Sequence, residues 1–400
     1  MHALQLLHTI VQKSCPKMHR TRLAALITSV NSLLLGRRLT LTALGRSTEG
    51  PIQVKNKIKF IDRLLGNRHL HREIMDCYKA LASTLIGHQL HPIILVDWST
   101  VDNRNQFHVL KASLAYEGRA ITIYDQVEYR HRPRKALNNS HDRFVENLSQ
   151  ILPAHCQPII VTDAGFMAQW FKRIEAKGWY WVGRVRGLVK IQALHSKTWQ
   201  SPEHFFRKAA GVPVCLGEYI MAKKNPLECV LYLHKDPKKG RARKNKNGSL
   251  KKADVNHDYA RSYKEPWLLA SNLPRTFNVA KKVVALYKKR MQIEETFRDL
   301  KDYHYGMGVR ATLSNTKERI AVLLLIAALG LFTLGLIGKA GYDHGLHRQF
   351  QANTVRDRRV LSFWYLGQQM YAHLKTILPL FNPKKALAAF LQGIPTYEML

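Results

Sequence analysis

Apolar residues recur every three to four positions through the first 87 residues, and this helical spacing stops at His91-Pro92. Before that point Leu4 to Val11, Arg20 to Leu35, Lys55 to Leu65 and Leu70 to Ile86 each predict one helix, with a short helix and turn at Leu39 to Gly45. Beyond it, Ile93-Ile94-Leu95-Val96-Asp97 is a β-branched apolar run ending in a carboxylate, the pattern of a strand covered on both faces. Phe107 to Leu114 and Ala120 to Val127 predict two more strands, paired as an antiparallel hairpin, and Asp142 to Leu152 an amphipathic helix. Pro158-Ile159-Ile160-Val161-Thr162-Asp163 repeats the first strand's design, followed by a helix at Ala168 to Ala176 and a strand at Trp179 to Val185. This order predicts an α/β class: a mixed sheet with helices packed on it.

From Arg186 to Asn272 the runs are short and strand-like, as at Val230 to Leu233 and Trp267 to Ala270. Lys235 to Lys252 interrupts them with nine Lys or Arg, one Asp and two Gly, a solvated loop suited to a phosphate backbone. A long helix over about Val279 to Leu300 comes next. Ile320 to Gly338 then runs 19 residues without a charge, the lower limit for a membrane span. Its Ala and Gly content suits close helix packing and no second such stretch exists, so we read it as a buried core helix and expect no membrane association. The expected organisation is a helical DNA-binding region at 1–87, a catalytic sheet domain at 88–185 and 273–345, a β-rich insertion at 186–272, and a helical C-terminal region at 346–400 serving dimerisation or DNA contact.

Charge narrows the class of partner. With 63 Lys plus Arg against 28 Asp plus Glu, the formal charge is +35, and a polyanion is needed to offset the self-repulsion. Nucleic acid is the commonest such partner, with membrane lipid the rival and ribosomal RNA a third option. Arg37, Arg38, Arg46, Lys55, Lys57, Lys59 and Arg63 lie on short N-terminal helices that fit either a helix-turn-helix-like module or a plain bundle with a basic face. The five cysteines are scattered, with no C-x-x-C pair, and Met1 to Gln12 lacks a secretory pattern; both fit a reducing cytoplasm.

Candidate chemistry starts with Asp97 and Asp163, which end two strands of matching design. Carboxylates at neighbouring strand ends can converge on divalent metal, or each can merely cap the next turn; both readings are open at this point. A third acid comes from the long helix. At ~100° per residue, Tyr287, Arg290, Glu294, Arg298 and Lys301 share one ~80° sector, beside a packing stripe of Leu286, Ile293, Phe297 and Leu300. Glu295 falls outside that sector, so helix phase selects Glu294. Intrahelical ion pairing on a solvated face explains the charges, though not the Tyr, Glu, Arg and Lys beside the packing stripe. Three carboxylates holding two metal ions suit phosphoryl transfer, with Arg290, Arg298 and Lys301 placed for the flanking phosphates.

Tyr287, Arg290, Glu294 and Lys301 reproduce the Y-x2-R-x3-E-x6-K signature of bacterial insertion-sequence DDE transposases. The run Tyr287 to Lys301 resembles the tetracycline-transposon branch of the "insertion sequence four" family. So do Leu95 to Ser99, Asp163 to Phe166, Ile61 to Leu70 and Phe350 to Arg356; the likeness is weakest in the basic loop and the last thirty or so residues. It implies an RNase H-like, retroviral-integrase-like domain interrupted by a β-rich insertion. It also implies two Mg2+ ions, with Mn2+ as a substitute, at Asp97, Asp163 and Glu294. Cut-and-paste transposition through a hairpin would result, with Tyr287, Arg290, Arg298 and Lys301 on DNA phosphates. Trp267, a core strand residue on its own reading, would by the same matching stack on a flipped base while Met291 probes the vacated space. The partners implied are the transposon's terminal inverted repeats and target DNA, bound by a homodimer on paired ends in the cytoplasm, at the nucleoid. A tyrosine recombinase using Tyr287, a catalytically idle DNA-binding descendant and a membrane protein are the rival readings; the first leaves all three acids without a role.

Overall fold

The computed structural model describes residues 2–130, 134–236, 265–352, 354–355, 358–373 and 382–398. The chain divides into two compact units. One comprises Met1–Pro158 with Lys289–Tyr397, the other Ile159–Lys288 with Glu398–Leu400.

In the first unit the N-terminal periodicity folds as α1 (His2–Ser14), α2 (Arg20–Gly36), α3 (Leu41–Arg46), α4 (Val54–Leu65) and α5 (Arg68–Ile86). Side-chain caps set several starts: Thr40 accepts from Ala43 N at α3, and Asn67 from Leu70 N at α5. Helices α3 and α4 lie so close that a Cβ on Gly45 would stand 2.6 Å from Ile58 Cα. Three antiparallel strands come next, in the order β3-β2-β1: β1 (Ile93–Thr100), β2 (Phe107–Ala115) and β3 (Ala120–Tyr129). β2 and β3 are buried along almost their whole length, so polar residues within them, Lys111 and Asp125 among these, are buried as well. Helix α6 spans Arg134–Ile151 and begins eight residues before the expected Asp142, because its first turns are polar and carry no apolar stripe.

Strand register gathers three charged residues. Asp97 lies opposite Lys111, and Lys111 opposite Asp125, so their side chains form a row on one face of the sheet. Lys111 and Asp125 are fully buried and ion-paired at 2.7 Å, with Thr122 accepting from Lys111 at 3.0 Å. Burial dominates both groups, pushing the lysine down and the carboxyl up, each against the pull of its partner.

In the second unit, β4 (Ile159–Thr162) runs parallel to β5 (Tyr180–Val185) through the crossover helix α7 (Ala168–Glu175). The sheet continues in the order β4-β5-β9-β8-β7-β6, with β6 (Ile191–Ala193), β7 (Val214–Met221), β8 (Leu227–His234) and β9 (Trp267–Ser271) all antiparallel. The β-rich segment is thus an extension of the β4–β5 sheet, entered through β9. Phe171 of α7 stacks on Trp181 at 4.1 Å directly over Gly183, where a Cβ would strike the ring at 2.3 Å. Short helix α8 (Glu203–Phe206) and α9 (Val279–Lys289) complete this unit. Beyond Asp236 the basic run to Lys252 lies outside the described residues.

The expected long helix is two helices. It breaks at Arg290, after α9, and resumes as α10 (Met291–Lys301) in the first unit. The apolar segment sits inside α11 (Lys317–Asp343), capped by Thr316, with Ile320 to Gly338 almost wholly buried. It packs on α2, α5, β3, α13 (Phe363–Ala372) and α14 (Pro383–Gln392); a short α12 (His347–Phe350) lies between. Small residues make that packing close: a Cβ on Gly338 would stand 1.8 Å from the Phe363 carbonyl oxygen, and one on Gly367 2.0 Å from that of Leu334.

Candidate active site

Helix α10 is held on the sheet by its polar residues as well as its apolar ones. Gln292 accepts from Tyr116 N, Thr296 from Ala120 N, and Asp299 from Arg119 at 2.7 Å, all at the β2–β3 turn. Burial raises the Asp299 carboxyl, and the Arg119 guanidinium opposes that shift. Glu295 pairs with Arg119 at 3.4 Å and with Arg298. The second acid of the Glu-Glu pair is therefore spent on docking. Ile293, Phe297 and Leu300, the core stripe, are buried as their phase requires.

Docked this way, α10 covers the sheet face that carries Asp97. Arg290, at the helix break, lies 3.6 Å from Asp97 Oδ2 and 2.5 Å from Glu294 Oε1. One guanidinium thus joins two carboxylates that lie 197 positions apart in the chain. The other Asp97 oxygen accepts from Trp98 N at 2.8 Å, which fixes its rotamer. Two residues along β1, Ser99 accepts from Lys301 Nζ at 2.7 Å. Burial lowers the Lys301 ammonium, Arg310 lowers it further, and Asp97 and Glu294 pull it back up. A cavity of about 290 Å³ opens here, lined by Glu294, Arg298, Lys301, Asp302 and Arg310. Its lining sets three cations, Arg298, Lys301 and Arg310, beside two acids, Glu294 and Asp302, and Asp97 pairs with Arg290 close by.

Asp163 directly follows β4 in the second unit, half-buried, its Oδ1 accepting from Gly165 N at 2.8 Å in a tight Asx turn. Tyr287 and Trp267 also belong to that unit. The Tyr287 ring is 5% exposed and meets Trp267 edge-on at 5.1 Å, while His234 contacts Trp267 at 5.7 Å from its neighbouring position on β8. Met291, in the first unit, is exposed, with its sulfur 3.5 Å from Arg290 Nη2. Among the described residues no three His, Cys, Asp or Glu side chains form a group that could hold a metal ion. Asp97 and Glu294 nevertheless offer hard oxygen donors of the kind Mg2+ takes, and they already share one cation in Arg290.

Two features escaped the sequence. Arg310 joins the cavity from a 3-10 turn (Val309–Ala311) beyond the helix, where no periodicity extends. Ser99 became the Lys301 partner only through folding. Nearer the N-terminus, α4 exposes Lys55, Lys59 and Arg63 at four-residue spacing. Arg38 and Arg46 line a second cavity of about 390 Å³ with Thr40, Ser47 and Tyr303.

Residues 88–331 match the sequence profile of the family described as "Transposase DDE domain". No curated protein matches the chain.

Proposed function

Because the chain belongs to the transposase DDE-domain family, over more than half its length, we propose that it moves its own insertion sequence by cutting and pasting DNA at Asp97, Asp163 and Glu294. Membership makes it a metal-dependent DNA phosphoryl-transfer enzyme with an RNase H-like fold. The signature residues add the finer reading: the tetracycline-transposon branch of the "insertion sequence four" family, two Mg2+ ions replaceable by Mn2+, and a hairpin on the excised end.

The observation that carries the site is the shared pairing of Asp97 and Glu294 with Arg290, at the edge of a cavity ringed by Arg298, Lys301 and Arg310. Carboxylates alone would repel a phosphodiester. Here the cations outnumber the acids around the opening, so a DNA phosphate can approach. Bound divalent metal would activate the attacking hydroxyl and stabilise the leaving oxygen in an in-line displacement. Arg290 offsets the charge of both acids before loading, and Trp98 N and Ser99 hold Asp97 and Lys301 at their stations. Trp267, in edge-type contact with His234 and Tyr287 and only partly buried, would stack on a flipped base, and Met291 is exposed for contact with the space it leaves. The exposed basic face of α4 and the Arg38–Arg46 cavity suit binding of the terminal inverted repeats. Two ends must be paired, so the working form is a homodimer on DNA, in the cytoplasm at the nucleoid.

The test is cleavage and joining of the flanking element's own end in Mg2+, comparing wild type with Asp97→Ala, Asp163→Ala and Glu294→Ala. Each variant should lose both steps while still binding DNA. Wild-type cutting by any one of them would remove that residue from the site.

A further inference from the structure

We propose that buried Lys111 is a positioning residue for this reaction, holding the Glu294 helix over Asp97 through the ring of Phe297. The inference rests on the assignment of Asp97 and Glu294 to the active site. Three observations lead to it. First, Lys111 lies opposite Asp97 on the neighbouring strand, so its stem leaves the same sheet face that the acid does. Second, its ammonium is fixed from the sheet side by Asp125 at 2.7 Å and Thr122 at 3.0 Å, with Tyr78 donating to Asp125 at 3.3 Å. Third, that ammonium lies 5.5 Å from the centroid of Phe297, and Lys301 Nζ lies 5.5 Å from the same centroid.

Phe297 therefore couples two cations, one locked in the sheet and one facing the cavity. It follows Glu294 by three residues and precedes Lys301 by four, so it shares their side of α10. Sliding or rotating the helix would move Arg290 and Glu294 together off Asp97 and carry the ring off Lys111 at the same time. An apolar pair in place of Lys111 and Asp125 would fill the same space without the cost of burying two charges, and such replacements are commonly neutral or stabilising. Stability alone gives no reason for charges here. Alignment of the acid above them does.

The discriminating variant is Lys111→Met with Asp125→Leu, measured for unfolding by denaturant, for Mn2+ binding by calorimetry, and for end cleavage. Stability should hold or rise, while Mn2+ affinity and cleavage each fall about tenfold, the size of effect seen when partners behind metal ligands are removed. Phe297→Leu leaves the buried pair in place and should lower Mn2+ affinity in the same way, which covers the case in which the double variant fails to fold. Lys111→Arg should retain part of the function. If either folded variant binds Mn2+ and cuts like wild type, Lys111 has no positioning role. Asp97→Ala and Glu294→Ala, run alongside, separate the two readings: if they also bind and cut normally, the active-site assignment itself has failed.

Discussion

Lys301 shows how a single side chain carries both placement and chemistry. Its ammonium is tethered to Ser99, faces Arg310 across the cavity, and loses affinity for its proton chiefly through burial. The sign of the consequence is fixed: a lowered lysine is charged below its folded pKa and neutral above it. DNA cleavage should therefore fall as pH rises through a value below the ordinary lysine range. Lys301→Arg, which keeps its charge, should move that alkaline limb upward in a pH–rate profile. An unchanged limb would assign the loss to another group. Glu294 and Glu295 make the complementary point about legibility. Helix phase alone separated them, and the folded chain gives them different partners, Arg290 for the first and Arg119 with Arg298 for the second.

At the scale of elements, what the sequence revealed were the segments with a strong period: α1, α2, α4 and α5, the two strands that end in Asp97 and Asp163, and the stripe that docks α10. What it concealed depended on partners far along the chain. The break at Arg290 interrupts a pattern that reads as one helix, because Arg290 itself keeps helical backbone angles, φ −53° and ψ −35°. Lys111 looked like an ordinary interruption in an apolar strand until pairing set it between Asp97 and Asp125. The glycines of α11 looked like packing residues, and the structure shows against what. At Gly338 the neighbour is backbone, the Phe363 carbonyl, which cannot rotate away. Gly338→Ala should cost about 3 kcal/mol or more, at or beyond the upper end for overpacking. Denaturant unfolding measures this directly, and a loss below about 0.5 kcal/mol, the usual range for inconsequential surface changes, would mean the two helices separate easily.

For the whole molecule, the most consequential feature is where α11 finds its cover. During synthesis its 19 uncharged residues reach the length at which insertion machinery accepts a segment into lipid. Two of its partners, α2 and α5, precede it in the chain, whereas α13 and α14 are made afterwards. A nascent chain must therefore shelter this helix on its N-terminal half alone until the last sixty or so residues arrive. A chain ended after Gly345 stops at that point, with the α11 surfaces under Phe363, Trp364 and Phe390 left bare. Expressed in cells, it should sediment with membranes or as aggregate while the full chain does not. Equal partition of the two would show that the N-terminal helices suffice. For an enzyme that acts on DNA, the critical competition during biogenesis is then with the bilayer, and the C-terminal helices decide it.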